Sequence, residues 1–229
     1  MSSYLDTRAR LEDYFDRTAA ETWERLTSDA PVSKIRQTVR EGRDAMRGAM
    51  LARLPGDLTG RRVLDAGAGA GQMSEILAER GAEVVAADIS PSLLEVARRR
   101  IPERLHEQIE FVAGDMLDDG LGRFDHVMAM DSLIHYGAED IGAALARLAA
   151  RCGRSIVFTI APSTPALRAM WLAGQVFPRS DRSPQIVPHS DAAIARAAAA
   201  HPELASFALS RVERVSRGFY ISQAMELAR

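Results

Sequence analysis

An α/β fold on a mostly parallel sheet is what this chain predicts, and three observations carry the prediction. Short apolar runs alternate with segments of helical periodicity from Val63 onward, as repeated strand–helix units require. The first run leads into Gly67, Gly69 and Gly71, a G-x-G-x-G turn that opens a helix. The next three runs end at or beside an aspartate, Asp88, Asp115 and Asp131. That is the edge where open α/β sheets take their ligands.

Each element follows in order. Val63 and Leu64 end the first strand, and Asp65 closes it. Glycine lacks a Cβ and adopts positive φ without penalty, so the turn at 67–71 lets the backbone approach a ligand closely. A dinucleotide fingerprint would need G-x-G-x-x-G, and Gln72 stands where its last glycine would be. Glu75 to Ala78 continue the first helix, and Gly81 ends it. Ala82 to Ala87 form the second strand, closed by Asp88. An acid about twenty residues past the glycines is placed to accept both ribose hydroxyls of a nucleoside. Capping the helix that opens at Pro91 falls to Ser90. Ile109 to Ala113 give a third strand, Phe124 to Met130 a fourth and Ser155 to Ile160 a fifth. Ala208 to Ser216 and Phe219 to Leu227 pair as a hairpin joined at Arg217-Gly218, an antiparallel finish.

The 229 residues and 47% hydrophobic content suit one domain with an extension, and the net charge of −2 gives no reason to expect nucleic acid. The lone Cys152 excludes an internal disulfide framework and fits a cytoplasmic protein. No apolar run is long enough to span a membrane, and the acidic N-terminus is not a signal peptide. Residues 1–60 read as an N-terminal helical lid: Leu11, Tyr14, Phe15, Thr18, Thr22, Trp23 and Leu26 share one helical face. Asp29-Ala30-Pro31 breaks that helix, and Ile35, Val39, Met46 and Met50 mark a second, ended by Pro55-Gly56. Residues 61–229 form the domain proper. Its proline-rich insertion at 162–190 carries an apolar stripe of Leu167, Met170, Trp171, Gly174 and Phe177, suited to covering a flat acceptor or to an oligomer contact.

The G-x-G-x-G turn following an acid resembles motif I of class I S-adenosylmethionine-dependent methyltransferases. The resemblance implies a Rossmann-like domain, a seven-stranded sheet with an antiparallel C-terminal strand, and S-adenosylmethionine as cosubstrate. It places the donor against Asp65, Ala66, Gly67, Gly69 and Gly71, with its ribose on Asp88 and Ile89. Asp115 takes the adenine amino group, Met116 packs on the ring, and Met130 and Asp131 close the site. Motifs for amino methylation of adenine or glutamine and for cytosine C5 methylation are missing, as are metal-ligand spacings among the five histidines. In their place stands Asp131-Ser132-Leu133-Ile134-His135-Tyr136.

That run, with Tyr14-Phe15-Asp16-Arg17-Thr18, Val32-Ser33-Lys34-Ile35-Arg36, Val39-Arg40-Glu41-Gly42-Arg43 and Phe177-Pro178-Arg179-Ser180-Asp181-Arg182, resembles the magnesium-protoporphyrin IX O-methyltransferases of the bacteriochlorophyll pathway. So does Val187-Pro188-His189, and the likeness covers essentially the whole chain. It implies methyl transfer to the ring-C propionate of magnesium-protoporphyrin IX, giving the monomethyl ester. It implies no protein-bound metal, since magnesium enters only within the substrate. Tyr14 and His135 fall beside the transferred methyl. His135 either orients the carboxylate or ligates the substrate magnesium, and its place after the fourth strand favours orientation; Tyr14, on an apolar stripe, has packing as its alternative. Trp171, Phe177, Arg179, His189, Lys34 and Arg43 are expected to meet the porphyrin. The second propionate falls to one of Arg36, Arg40, Arg43, Arg179, Arg182 or Lys34. Implied partners are the porphyrin-binding large subunit of magnesium chelatase and, peripherally, a photosynthetic membrane.

The chemistry suits such a site. A propionate with a pKa near that of glutamate, about 4.3, is already an anion at neutrality and needs no general base. Its attack on a sulfonium brings opposite charges together, so alignment and water exclusion supply most of the catalysis, roughly 7–11 kcal/mol. Two other readings compete: another small-molecule O-methyltransferase with a quinone-type acceptor, and a tetrapyrrole carrier without activity. The intact glycine turn and Asp88 speak against a pure carrier, which has no use for the donor.

Overall fold

A computed structural model describes residues 2–27, 34–163 and 184–229. Two helices come first, α1 (Ser2–Thr27) and α2 (Lys34–Leu51). The alternating part then runs β1 (Arg62–Ala66), α3 (Gln72–Glu79), β2 (Glu83–Asp88), α4 (Pro91–Arg100), β3 (Ile109–Ala113), β4 (Phe124–Ala129), α5 (Ala138–Ala149) and β5 (Cys152–Pro162). A two-residue β6 (Pro188–His189), α6 (Asp191–Ala199), β7 (Ala208–Arg217) and β8 (Tyr220–Ala228) complete the chain.

The strands lie in the order β3-β2-β1-β4-β5-β8-β7, with β6 paired beside the end of β5. All pairings from β3 to β5 are parallel; β8 runs antiparallel to both its neighbours. The chain steps outward from β1 to β3, then returns to lay β4 on the other side of β1. The carboxyl ends of β1 and β4 therefore flank the switch point, where a crevice opens.

Burial explains why the parallel strands read as unbroken apolar runs. β1, β2 and β4 are covered on both faces, as parallel sheets require. Side chains alternate between the faces. Leu64, Val85, Val127 and Phe158 pack on the face that α5 covers with Ile141 and Leu145. Val63, Val84, Met128 and Val157 pack on the other, with Leu77 of α3 and Met46 and Met50 of α2. Met46 and Met50 are wholly buried, so α2 is part of the core. Gly42 permits its close approach: a Cβ there would stand 2.7 Å from the Tyr220 ring.

The fifth strand is longer than the apolar run at Ser155 to Ile160 suggests, because Cys152 pairs with Phe124 of β4 at one end and β6 extends it at Ala161 and Pro162 at the other. A two-residue strand shows no period, so β6 leaves no trace in the sequence. The second helix ends at Leu51, just short of Pro55-Gly56. The break at Asp29-Ala30-Pro31, the Trp23 and Leu26 side chains and the apolar stripe of the insertion lie outside the described residues.

Candidate functional site

A cavity of about 360 Å³ opens over the carboxyl ends of β1 to β4, a size suited to one small molecule. Its floor is the glycine turn. Gly67 and Ala68 donate N–H bonds to the Ala87 carbonyl at 2.8 and 3.0 Å, drawing the turn against the end of β2. Gly67, Gly69 and Gly71 all hold positive φ. Their surroundings differ. A Cβ on Gly67 would stand 2.6 Å from Ser132 Cβ, whereas one on Gly69 would meet nothing within 4 Å. Gly67 is required by the neighbouring loop, and Gly69 is where the backbone faces open space. Gly71 is the N-cap of α3 and supplies no side-chain cap.

Asp65 and Ala66, expected at the donor, do not line this cavity. Asp65 is 2% exposed and accepts from Ser74 Oγ at 2.6 Å. It braces the start of α3 from beneath the turn. Burial pushes its pKa up to about 6, against the Ser74 hydrogen bond. Asp88 does line the cavity, with Ile89. Its Oδ2 accepts from Gly69 N at 2.7 Å and its Oδ1 from Ser90 N at 2.9 Å. Burial raises its pKa, and those two amides oppose the rise. Ser90 caps α4 as expected, and its hydroxyl also donates to Asp16 at 2.6 Å, which ties α1 to the rim.

The third aspartate is gripped by the first turns of α1. Asp115 Oδ1 accepts from Tyr4 Oη at 2.9 Å and from Leu117 N at 2.9 Å; Oδ2 accepts from Arg8 at 3.0 Å. Tyr4 stacks on Tyr136 with ring centroids 4.8 Å apart. Nothing in the sequence marks Tyr4 or Arg8, because their partner lies more than a hundred residues away in the chain. Met116 and Met130 line the cavity beside Asp115 and Asp131.

Asp131 holds φ of 57°, a left-handed conformation unusual outside glycine. Its N–H donates to Thr159 Oγ1 at 2.7 Å, and its carboxylate accepts from Tyr220 Oη at 3.1 Å and pairs with Arg43 Nε at 3.2 Å. Burial raises the Tyr220 pKa, so the hydroxyl stays a donor. Beside it, Ser132 lines the cavity, and its Oγ is buried with no hydrogen-bond partner among the described residues. That orphan hydroxyl sits inside the Asp131–Tyr136 run, yet its role is invisible without the turn it abuts.

Tyr14, Phe15 and His135 line the opposite wall. Phe15 meets Tyr14 edge-on at 5.4 Å and His135 at 6.4 Å. His135 Nδ1 lies 3.1 Å from the Gln185 carbonyl. A carbonyl only accepts, so Nδ1 carries the proton, and burial lowers the pKa and keeps the ring neutral. Nε2 is left with a lone pair.

The residues expected to meet the porphyrin divide. Arg43 lines the cavity, 52% exposed at its side chain. Lys34 is exposed at the start of α2 and does not line it. His189 is 8% exposed, and its Nε2 donates to the Tyr136 carbonyl at 2.8 Å, holding β6 to the loop after β4. It lies outside the cavity lining because its β6 partner is the end of β5. Trp171, Phe177 and Arg179 lie outside the described residues.

Comparison with known proteins agrees with this geometry. Residues 63–154 match the profile described as Methyltransferase domain, and residues 129–229 that described as Magnesium-protoporphyrin IX methyltransferase C-terminus. A Rhodobacter capsulatus protein described as Magnesium-protoporphyrin O-methyltransferase is 53% identical over 226 residues, covering 98% of both chains. A Synechocystis protein of the same description is 31% identical over 98% of this chain and 97% of its own. The crystal structure of magnesium protoporphyrin IX methyltransferase from Synechocystis, with bound SAH (S-adenosylhomocysteine), matches with a TM-score of 0.77 at 30% identity. That match covers 96% of this chain and 99% of the other.

Proposed function

Because the chain belongs to the magnesium-protoporphyrin IX O-methyltransferase family, we propose that its cavity aligns S-adenosylmethionine with the ring-C propionate of magnesium-protoporphyrin IX and transfers the methyl group. The observation that carries this reading is the convergence of Gly69, Asp88, Asp115, Asp131, Tyr14 and His135 on one cavity at the switch point. Whole-length similarity favours it over a quinone-type acceptor, since it includes the N-terminal helices and the insertion that distinguish acceptors.

In this reading Gly69 leaves room for the donor and Asp88 takes the ribose. Asp115 takes the adenine amine, and Met116 packs on the ring. Asp131, fixed by Thr159, Tyr220 and Arg43, and the Ser132 hydroxyl face the amino-acid end of the donor. The propionate attacks the sulfonium methyl in line as an anion; a bond from carboxylate oxygen to carbon forms while the carbon–sulfur bond breaks. The electron pair stays on sulfur, giving S-adenosylhomocysteine, and no proton moves. Phe15 and Tyr14 exclude water from the reacting pair, which strengthens the attraction between them. Arg43 is the basic side chain at the cavity among the described residues and is assigned the second propionate.

His135 receives a different role from the one its position after β4 suggests. A neutral ring whose Nδ1–H is held by Gln185 presents a lone pair, which repels a carboxylate and suits an axial bond to the substrate magnesium. The porphyrin centre therefore rests over His135, with the propionate reaching back toward the donor.

Supply and location follow from the same substrate. A large apolar macrocycle is ill-suited to travel free in water, which supports direct transfer from the porphyrin-binding large subunit of magnesium chelatase. In this reading the protein is cytoplasmic and its membrane contact peripheral; no helix among the described residues is long and apolar enough to cross a membrane. The experiment is incubation with a labelled methyl donor and a panel of porphyrins, with and without magnesium. A labelled monomethyl ester of magnesium-protoporphyrin is expected; label on a quinol acceptor and none on porphyrin would overturn the assignment.

A further inference from the structure

We infer that Arg100 is a positioning residue for the donor: from the last turn of α4 it holds the Ala70 carbonyl, and so fixes the stretch of the glycine turn on which S-adenosylmethionine rests. This rests on the reading of that turn as the floor of the donor site.

Buried backbone polar groups need partners, and those of the turn find them in three directions. Gly67 and Ala68 donate to the Ala87 carbonyl, and Gly69 donates to Asp88. Gly71 N–H reaches back to the Ala68 carbonyl at 2.9 Å, and Glu75 N–H donates to the Gly71 carbonyl at 3.0 Å. The Ala70 carbonyl is taken by a side chain: Arg100 Nε donates to it at 2.7 Å. Gly69 and Ala70 both line the cavity, and the peptide that joins them has an anchor on each side. Asp88 holds the peptide before it, and Arg100 holds the peptide after it.

The second anchor matters because the next residue is glycine. Gly71 holds φ of 75°, and a residue without Cβ accepts either sign of φ. Reversal of the Ala70–Gly71 peptide meets little local resistance, and the Arg100 bond opposes it. The arginine is itself held. Its Nη1 donates to Glu75, in the first turn of α3, at 2.5 Å, and its Nη2 is buried. The guanidinium is therefore enclosed between α3 and α4 rather than swinging in solvent. α4 lies against the turn at the same place: a Cβ on Gly71 would stand 2.8 Å from Ile101 and 2.9 Å from Ala97. The helix starts at the Ser90 cap, bonded to Asp88, and ends at Arg100. One helix thus joins the two anchors.

A turn fixed before the donor arrives costs less to order on binding. Arg100 does not line the cavity, so its influence on the donor passes through the Ala70 carbonyl.

The test is calorimetric binding of S-adenosylhomocysteine to the full chain, with steady-state kinetics for both substrates. Arg100→Met is expected to weaken S-adenosylhomocysteine binding about tenfold and to raise the donor KM by the same factor. The kcat and the porphyrin KM should stay within about twofold of the parent. Arg100→Lys keeps the charge but spans only one of the two partners, so its donor affinity should fall between those of Arg100→Met and the parent. Comparable rises in both KM values with a lower kcat would mean a general loosening of the fold and overturn the positioning role. Gly69→Asn separates the two readings, because asparagine tolerates the left-handed backbone while adding a side chain to the open space. If it binds S-adenosylhomocysteine like the parent, the turn is not the donor's floor and Arg100 has nothing to position. If it loses binding while Arg100→Met and Arg100→Lys keep the parent's affinity, the turn stands and the role of Arg100 is wrong.

Discussion

The Gly69 amide donates to Oδ2 of Asp88 across 2.7 Å, so the glycine turn and the carboxylate at the end of β2 form one hydrogen-bonded unit. Ser90 N takes one further position, on Oδ1. Two of the roughly four acceptor positions stay open, one on each oxygen. That is the number a ribose needs for its two hydroxyls.

Asp88→Ala removes both acceptors and the tether to Gly69. Charge-assisted hydrogen bonds contribute about 1.5–3 kcal/mol each, so S-adenosylhomocysteine affinity should fall well over tenfold in a folded protein. Calorimetry checks this, and unchanged affinity would remove the ribose assignment.

Asp65 predicts a pH signature. Its folded pKa of about 6 lies above the unfolded value near 3.8, so the folded state binds the extra proton between these limits. Stability therefore falls as pH rises through that window, by about 2–3 kcal/mol in total from this group. Asp65→Asn keeps the shape without the charge. The stability of Asp65→Asn relative to the parent should grow from pH 4 to pH 7 in denaturant titrations, and a constant difference would contradict the buried charge.

Gly42→Ala sets a methyl 2.7 Å from the Tyr220 ring. Overpacking of this kind destabilises by about 1–3 kcal/mol. Because Tyr220 holds Asp131, the KM for the donor should rise too, whereas Tyr220→Phe should raise the KM with a smaller loss of stability. Equal melting temperatures for Gly42→Ala and the parent would show that α2 yields without strain.

His135→Ala tests the lone pair. If Nε2 ligates magnesium, binding of magnesium-protoporphyrin weakens, metal-free protoporphyrin binding is unchanged, and the visible spectrum of bound substrate loses the shift expected of an axial ligand. Lost turnover with both porphyrins at unchanged affinity would return His135 to orienting the propionate.

The sheet, its strand ends and the glycine turn were legible in sequence because a parallel sheet buried on both faces imposes unbroken apolar runs, and the turns after it need glycine and acid at set places. Ser90 as cap and the closing hairpin came from local chemistry of the same kind. Tertiary structure alone decided which groups share a cavity. It placed Asp65 under the turn and Asp88 in the opening, though the two look alike in sequence. It gave His189 to the Tyr136 carbonyl, and set His135 as a proton donor to Gln185, which reverses the chemistry its free nitrogen offers. Tyr4 and Arg8 reach Asp115 only because α1 lies across the end of β3. Periodicity records which face of an element is buried; it carries no record of which distant side chain lies opposite.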